Sequence, residues 1–383
     1  MLYFIDELVH FIEYWRTSMT DDVDLDQLRL LSSTNTQTRR LGYLVQTCKM
    51  LNGKYLTLSE LQKRIEDWAD ENNDALEKHI SDKGILRRSS RSLGARRYIA
   101  LAQSLELITN VSGFFRPTKT GRVILALNGE LSREDNPFEL GLKTASLLCY
   151  QLLLLDADYL LPTLELTTSY HQQSELLKHA QKRLLNRFST LENYISSPIL
   201  RSAVHDRFLT ISRWTKPVKY LEHLLLPRLH WLLDLKLLEW DAFRKYQVFT
   251  PNQSGYHLLH RIPLIDEHHV VNRNWCQNRF FSVFAEGLGL ALSPWSKLSQ
   301  DRQQQLITEY VSIGFDIFRT MEYPRISAYQ LILFIIIDLL DKGIGAGFEE
   351  IKQSLDYFSR RTHIRWSFFW SAIDDDGYLL LSQ

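Results

Sequence analysis

Leucines recur at intervals of three and four along most of this chain, while strict apolar–polar alternation is scarce. The elements this predicts are mainly helices. Two runs are apolar almost all round: 139–166, with Leu147, Leu148, Leu152, Leu154 and Leu155, and AYQLILFIIIDLLDKG at 328–343. Helices of that kind belong at the centre of a domain. Between them, SYHQQSELLKHAQKRLLNRFSTLENYI (169–195) is amphipathic and carries Lys178, Lys182, Arg183 and Arg187. It reads either as an extension of a basic surface or as a solvated connecting helix. The opening MLYFIDELVHFIEYW reads as an amphipathic helix, since Asp6, Glu7 and Glu13 and the missing basic n-region argue against a signal peptide. DDVDLD (21–26) and LSSTNTQTRR (31–40) predict a loop after it.

One arrangement recurs. A helix rich in Leu and Tyr ends in a short apolar pair, followed by a hairpin-sized segment, Pro, a few polar residues and Gly. It appears as Tyr98–Leu105, LELI (105–108), TNVSG and FFRPTKTGRVI (114–124). It returns as YLEHLLLPRLHWLLDLKLLEWD (220–241) and YQVFTPNQSGYHLL (246–259). A β-prone pair precedes Pro in both, Phe114–Phe115 and Val248–Phe249, and a helix restarts after Gly. FEEIKQSLDYF (348–358), RRTHIRWSFFWSAI (360–373) and DDDGYLLL (374–381) form a third, partial copy. Upstream of the first, Thr57-Leu58-Ser59-Glu60 fits a capping box. It opens the helix LSELQKRIEDWA, with Leu58, Leu61, Ile65 and Trp68 on one face.

The order helix, helix, hairpin over about residues 40–124 resembles the winged-helix variant of helix-turn-helix domains. YIALAQSLELI and FFRPTKTGRVI stand as recognition helix, wing and following helix. ADENNDALEKHISDKG, between the two helices, departs from the tight turn usual there. The resemblance implies a mainly α, multi-domain protein with two or three winged-helix modules and short β-hairpin wings, the weaker copies near 199–260 and 325–383. Three segments are expected: 1–130, 131–265 and 266–383. The implied function is that of a non-enzymatic DNA-binding and protein-docking subunit of a prokaryotic DNA-handling complex, kleisin-like or belonging to anti-phage defence. Its expected partners are double-stranded DNA and other protein subunits, an ATPase or nuclease among them, with no membrane. A stand-alone winged-helix transcriptional regulator is the alternative, and a divergent metal-dependent nuclease a second.

Charge sharpens the expectation. Lys+Arg and Asp+Glu number 45 each, so attraction to a polyanion has to be local. From Lys83 to Arg122 the cations are Lys83, Arg87, Arg88, Arg91, Arg96, Arg97, Arg116, Lys119 and Arg122, against the single acid Glu106. Cations of this kind neutralise phosphates and release condensed counterions. Arg87, Arg88 and Arg91 precede or open the recognition helix, Arg96 and Arg97 lie in it, and Lys119 and Arg122 sit by the wing. These seven are the expected nucleic-acid contacts, to the backbone more than to bases, with Arg91 and Arg96 as candidates for base edges. Arg97 adjoins Tyr98, and snorkelling along the apolar face is its other reading. The competing reading of the whole cluster is a solvated face, or a patch that pairs with the acidic segment or a partner protein. In RRTHIRWSFFWSAI the aromatics either stack bases or fill a terminal core.

Other chemistry is thinly supported. Cys48, Cys149 and Cys276 are isolated and no CxxC occurs, which argues against a thiolate zinc site and for a reducing cytoplasm. The 328–340 run is too short for a bilayer crossing of about 20 residues. IDEHHVVNRNWCQNR (265–279) gathers Asp266, Glu267, His268, His269, Asn272, Asn274 and Cys276. Adjacent histidines point apart on helix and strand alike, so a polar interdomain segment is the expectation. Glu350–Lys352 spells the E-x-K of restriction nucleases on a predicted helix, and the glycines of 343–347 read as a helix stop. GxxxxGK[ST], GxGxxG, GxSxG and HExxH are all missing. No catalytic residue, cofactor or metal is expected.

Overall fold

The computed structural model describes residues 25–31, 34–79, 86, 93–127, 137–241, 248–319, 324–361 and 365–381. Most of them are helical and the strands are short. The chain divides into two compact units, each discontinuous in sequence: 33–151 with 277–383, and 1–32 with 152–276. Residues 33–130 and 277–383, which the sequence reads as opposite ends, therefore share a unit.

The first of these units begins with α1 (Gly42–Met50), β1 (Leu56–Thr57), α2 (Leu58–Glu71), α3 (Asn73–His79) and α4 (Leu93–Ser104). They are followed by β2 (Ile108–Val111), β3 (Phe114–Pro117) and α5 (Lys119–Leu127). The capping box forms: the Glu60 amide donates to Thr57 Oγ1 at 3.4 Å and the Thr57 amide to Glu60 Oε2 at 2.8 Å. Leu61 and Ile65 are buried, Leu58 and Trp68 half-buried, and the Trp68 ring meets Tyr43 edge-on at 5.7 Å. Part of the long polar insert becomes α3. β2 and β3 pair from Ile108↔Pro117 to Val111↔Phe114. Ser112 and Gly113 between them both have positive φ, 53° and 87°, as a tight two-residue hairpin turn requires. β1 adds antiparallel to β3, giving the order β1-β3-β2.

Next come α6 (Leu142–Thr167), α7 (Gln173–Tyr194), α8 (Pro198–Ser212), α9 (Pro217–Asp234), β4 (Leu238–Asp241), β5 (Val248–Pro251) and α10 (Gln253–Arg261). β6 (Leu264–Ile265), β7 (His268–His269) and α11 (Arg273–Asn278) complete this stretch. By length and composition α6 could cross a membrane, yet its apolar window is 94% buried in protein, so it serves as a core helix.

The joint between helix and hairpin is built twice from the same parts. α4 ends where Glu106 turns to φ 55° and Leu107 N donates to Ala102 O at 2.9 Å. α9 ends where Lys236 turns to φ 58° and Leu237 N donates to Leu232 O at 2.9 Å. Both are left-handed helix stops of the Schellman kind. After each hairpin a short polar side chain caps the next helix: Gly121 N donates to Thr118 Oγ1 at 3.1 Å, Gly255 N to Asn252 Oδ1 at 3.0 Å. Those caps donate back to the carbonyls of Glu106 and Lys236 respectively. Gly121 and Gly255 lie so close to the carbonyl oxygens of Leu107 and Leu237 that a Cβ at either would collide. That is the physical content of the recurring Pro-x-x-x-Gly.

The remaining elements are α12 (Phe280–Gly287), β8 (Ser293–Pro294), a 3-10 turn (Trp295–Lys297), α13 (Gln300–Phe318), β9 (Arg325–Ser327) and α14 (Ala328–Asp341). β10 (Ile344–Gly345), α15 (Phe348–Ser359), β11 (Trp366–Ser371) and β12 (Asp376–Leu381) follow. β9 pairs with β12 in the order β11-β12-β9, as β1 pairs with β3. A helix, a strand, further helices and a hairpin thus recur over 300–381, with two helices before the hairpin where 42–117 has three, and Ser327 caps α14 as Thr57 caps α2. The E-x-K letters are spent locally: Glu350 accepts from Gly347 N at 2.8 Å, and Lys352 lies over the Trp370 ring at 5.0 Å.

Candidate nucleic-acid interface

Ala95, Tyr98, Ile99 and Ala102 turn one face of α4 inward, which leaves Leu93, Arg96 and Gln103 exposed on the other. Arg96 has no side-chain partner among the described residues. Arg97 is half-buried and donates through Nη1 to Asn35 Oδ1 at 2.9 Å, so it braces the segment before α1. On the hairpin, strand alternation buries Phe115 and exposes Phe114 and Arg116. Arg116, absent from the seven expected contacts, is therefore an exposed cation beside two exposed apolar residues, Val111 and Phe114. Alternation around Phe115 was the signal for it.

Lys119 and Arg122 have other employment. Lys119 pairs with the carboxylate of Asp376, which also accepts from Ser327 Oγ and from the Tyr329 amide. Arg122 donates to Phe318 O at 2.6 Å, with its guanidinium 5.9 Å from the Phe318 ring centroid. Both fasten α5 to the 300–381 segment of the same unit. Arg87, Arg88 and Arg91 lie outside the described residues.

The other unit is organised by buried charge that the sequence reading missed. Residues 25–31 bind along α6: Arg29 N donates to Asp158 Oδ2 at 2.7 Å and Leu31 N to Asp156 Oδ1 at 2.9 Å. Arg228, fully buried, grips Asp156 through Nε and Nη2, both at 2.6 Å. Arg187 is equally buried and donates to Asp158 Oδ1 at 2.7 Å and to His269 O at 2.7 Å. Arg183 holds Glu165 Oε2 through Nε and Nη2 at 3.0 and 2.8 Å. Neither reading of 169–195 as a solvated or surface-basic helix survives at Arg187 or Arg183. The acids that claim them sit inside an apolar run of α6.

This network also absorbs the 265–279 cluster. His269 donates its amide to Glu165 Oε1 at 2.8 Å and sets Nδ1 against the same oxygen at 2.8 Å. Asp266 accepts from Tyr194, Asn272 caps α11, and burial pushes the Cys276 thiol up to about 12. No group of three or more His, Cys, Asp and Glu among the described residues is placed to hold a metal ion. Burial alone would raise the Glu165 carboxyl, but the His269 hydrogen bond with Arg187 and Arg183 holds it at about 2. His268, buried beside it, is pushed down to about 4, first by burial and then by Arg183 and Arg187, against Glu165 and Asp266.

Both folded values lie below the unfolded ones, so both groups stabilise at neutral pH and lose that contribution on acidification. His268 loses it as pH falls from 6.5 to about 4, and Glu165 below about 4.5. Urea denaturation of wild type should show stability declining from pH 6.5. His268→Phe should be flatter between pH 6.5 and 4, and an unchanged slope would contradict the assignment. The chain matches no protein-family model and no curated protein.

Proposed function

We propose that this chain is a non-enzymatic subunit built on winged-helix modules, which binds duplex DNA through its 40–124 module and docks onto other proteins through the rest. The observation that carries the proposal is the pairing of an exposed Arg96 on α4 with an exposed Arg116 on the adjoining hairpin, in a module that runs helix, strand, three helices, hairpin. A helix laid in the major groove and a wing along the backbone use those two positions. The preceding Arg87, Arg88 and Arg91 extend the same cationic stretch. The setting this suits is a cytoplasmic DNA-handling complex of a prokaryote, kleisin-like or in anti-phage defence, with an ATPase or nuclease subunit as partner. α9, by contrast, packs most of its length inside its own unit, with its Arg228 fully buried, and presents no run of cations. The 300–381 hairpin also exposes Phe369, Ile373 and Tyr378 instead of a run of cations.

Fluorescence anisotropy on a panel of duplexes tests the first half. Arg116→Ala should weaken all sequences alike, as a backbone contact does. Arg96→Ala should cost about 1–3 kcal/mol on a preferred sequence, the worth of a good base contact. Wild-type affinity in both variants would remove α4 and the hairpin from the interface. Magnesium-dependent cleavage by the purified chain would favour the nuclease alternative.

A further inference from the structure

Beside the Glu165 network lies a cleft of about 430 Å³, within the range of small-molecule sites. It belongs wholly to the unit formed by 1–32 and 152–276. α7 supplies one wall with His179, Lys182, Arg183 and Asn186, spaced i, i+3, i+4 and i+7 and hence on one helical face. Leu166 and Leu259 give the cleft an apolar side, and the Tyr170 ring stacks on His179 with centroids 4.0 Å apart.

We propose that this cleft binds a small phosphate-bearing ligand, its phosphate held by Lys182 and Arg183 and its organic part lying against Leu166 and Leu259. The charge of the acid in the wall is offset by the Arg183 guanidinium that grips it. Both oxygens of Glu165 are taken, Oε2 by Arg183 and Oε1 by the His269 amide and ring. The last carbonyls of α6 are taken as well: Thr167 and Thr168 hydroxyls cover those of Leu164 and Glu165, and the Ser169 and Tyr170 amides cover that of Leu166. Meanwhile Arg183 Nη1 and Lys182 Nζ have no partner among the described residues. Arg183 is moreover pre-oriented by its grip on Glu165 and by its bond to Glu267 O at 2.6 Å. A fixed guanidinium beside a free ammonium is the donor set that phosphate recognition uses.

The test is isothermal titration of the full chain with inorganic phosphate, phenyl phosphate and phenol. Saturable binding of both phosphates, tighter for phenyl phosphate, with none for phenol, is expected. Because Arg183 also holds Glu165, the informative change is at the exposed Lys182. Lys182→Glu should weaken phenyl phosphate at least tenfold with an unaltered melting temperature, and Lys182→Arg should restore most of the affinity. No saturable binding to wild type, or equal binding by Lys182→Glu, would overturn the proposal.

Discussion

Arg228→Ala should be the most damaging single change in this protein, costing about 3–5 kcal/mol. It would strip a fully buried carboxylate of its counter-charge, and an uncompensated buried ion carries a penalty of that size. Arg228 meets Asp156 through two nitrogens, donates to Leu224 O at 2.5 Å and Leu31 O at 3.3 Å, and has its guanidinium 4.8 Å from the Tyr159 ring centroid. Asp156 in turn holds the Leu31 amide, so the 25–31 segment would lose an anchor too. For a unit of this size each kcal/mol shifts the melting temperature by roughly 2–4 °C, and a fall of about 10 °C is expected in calorimetry. Arg228→Met with Asp156→Leu should recover much of the loss, because the pair then leaves no buried charge. Equal damage from the single and the double change would show that packing around Tyr159, not charge, is what matters there.

Gly121→Ala and Gly255→Ala should produce matched losses of about 1–3 kcal/mol, typical of forcing an atom into filled space. The added methyl meets a backbone carbonyl in each case, Leu107 O or Leu237 O, and backbone cannot swing aside as a side-chain tip can. Each joint therefore has to open between the helix stop and the second hairpin strand. Gly141→Ala is the control, since nothing lies within 4 Å of a Cβ there. Urea denaturation of the three variants gives the comparison. A neutral Gly121→Ala or Gly255→Ala would mean that the two joints are not the rigid, repeated device described above.

Those joints are also where the sequence was most legible. Helix stop, hairpin, Pro, cap and Gly are local, each within about twenty residues, so chain chemistry alone predicts them, and hairpins do begin at Ile108 and Leu238. Partners far apart in sequence left no such trace. Lys119 and Arg122 look like wing cations until Asp376 and Phe318, 257 and 196 residues further on, engage them. Arg183 and Arg187 look solvent-facing on an amphipathic helix because Glu165 and Asp158 are hidden among leucines. An acid inside an otherwise apolar helix is itself a sign that a cation elsewhere is committed. Asp156 and Asp158 carried that sign in the sequence LLLLDADYLL. Arg116 was counted among the cations of 83–122 but not among the expected contacts, because only strand alternation around the buried Phe115 marks it as exposed.

The central proposal is that the arginine-rich stretch leading into α4 of the 40–124 module neutralises DNA phosphates. Its most direct test is the salt dependence of duplex binding, measured by anisotropy from low to physiological salt. Log affinity against log salt should fall by about 0.9 for every phosphate neutralised. Replacing Arg87, Arg88 and Arg91 together by Ala should flatten that slope by roughly 2–3 units and weaken every sequence alike. A triple variant with wild-type affinity and slope would instead make these arginines a solvated or protein-binding face, and DNA binding by this module would be contradicted.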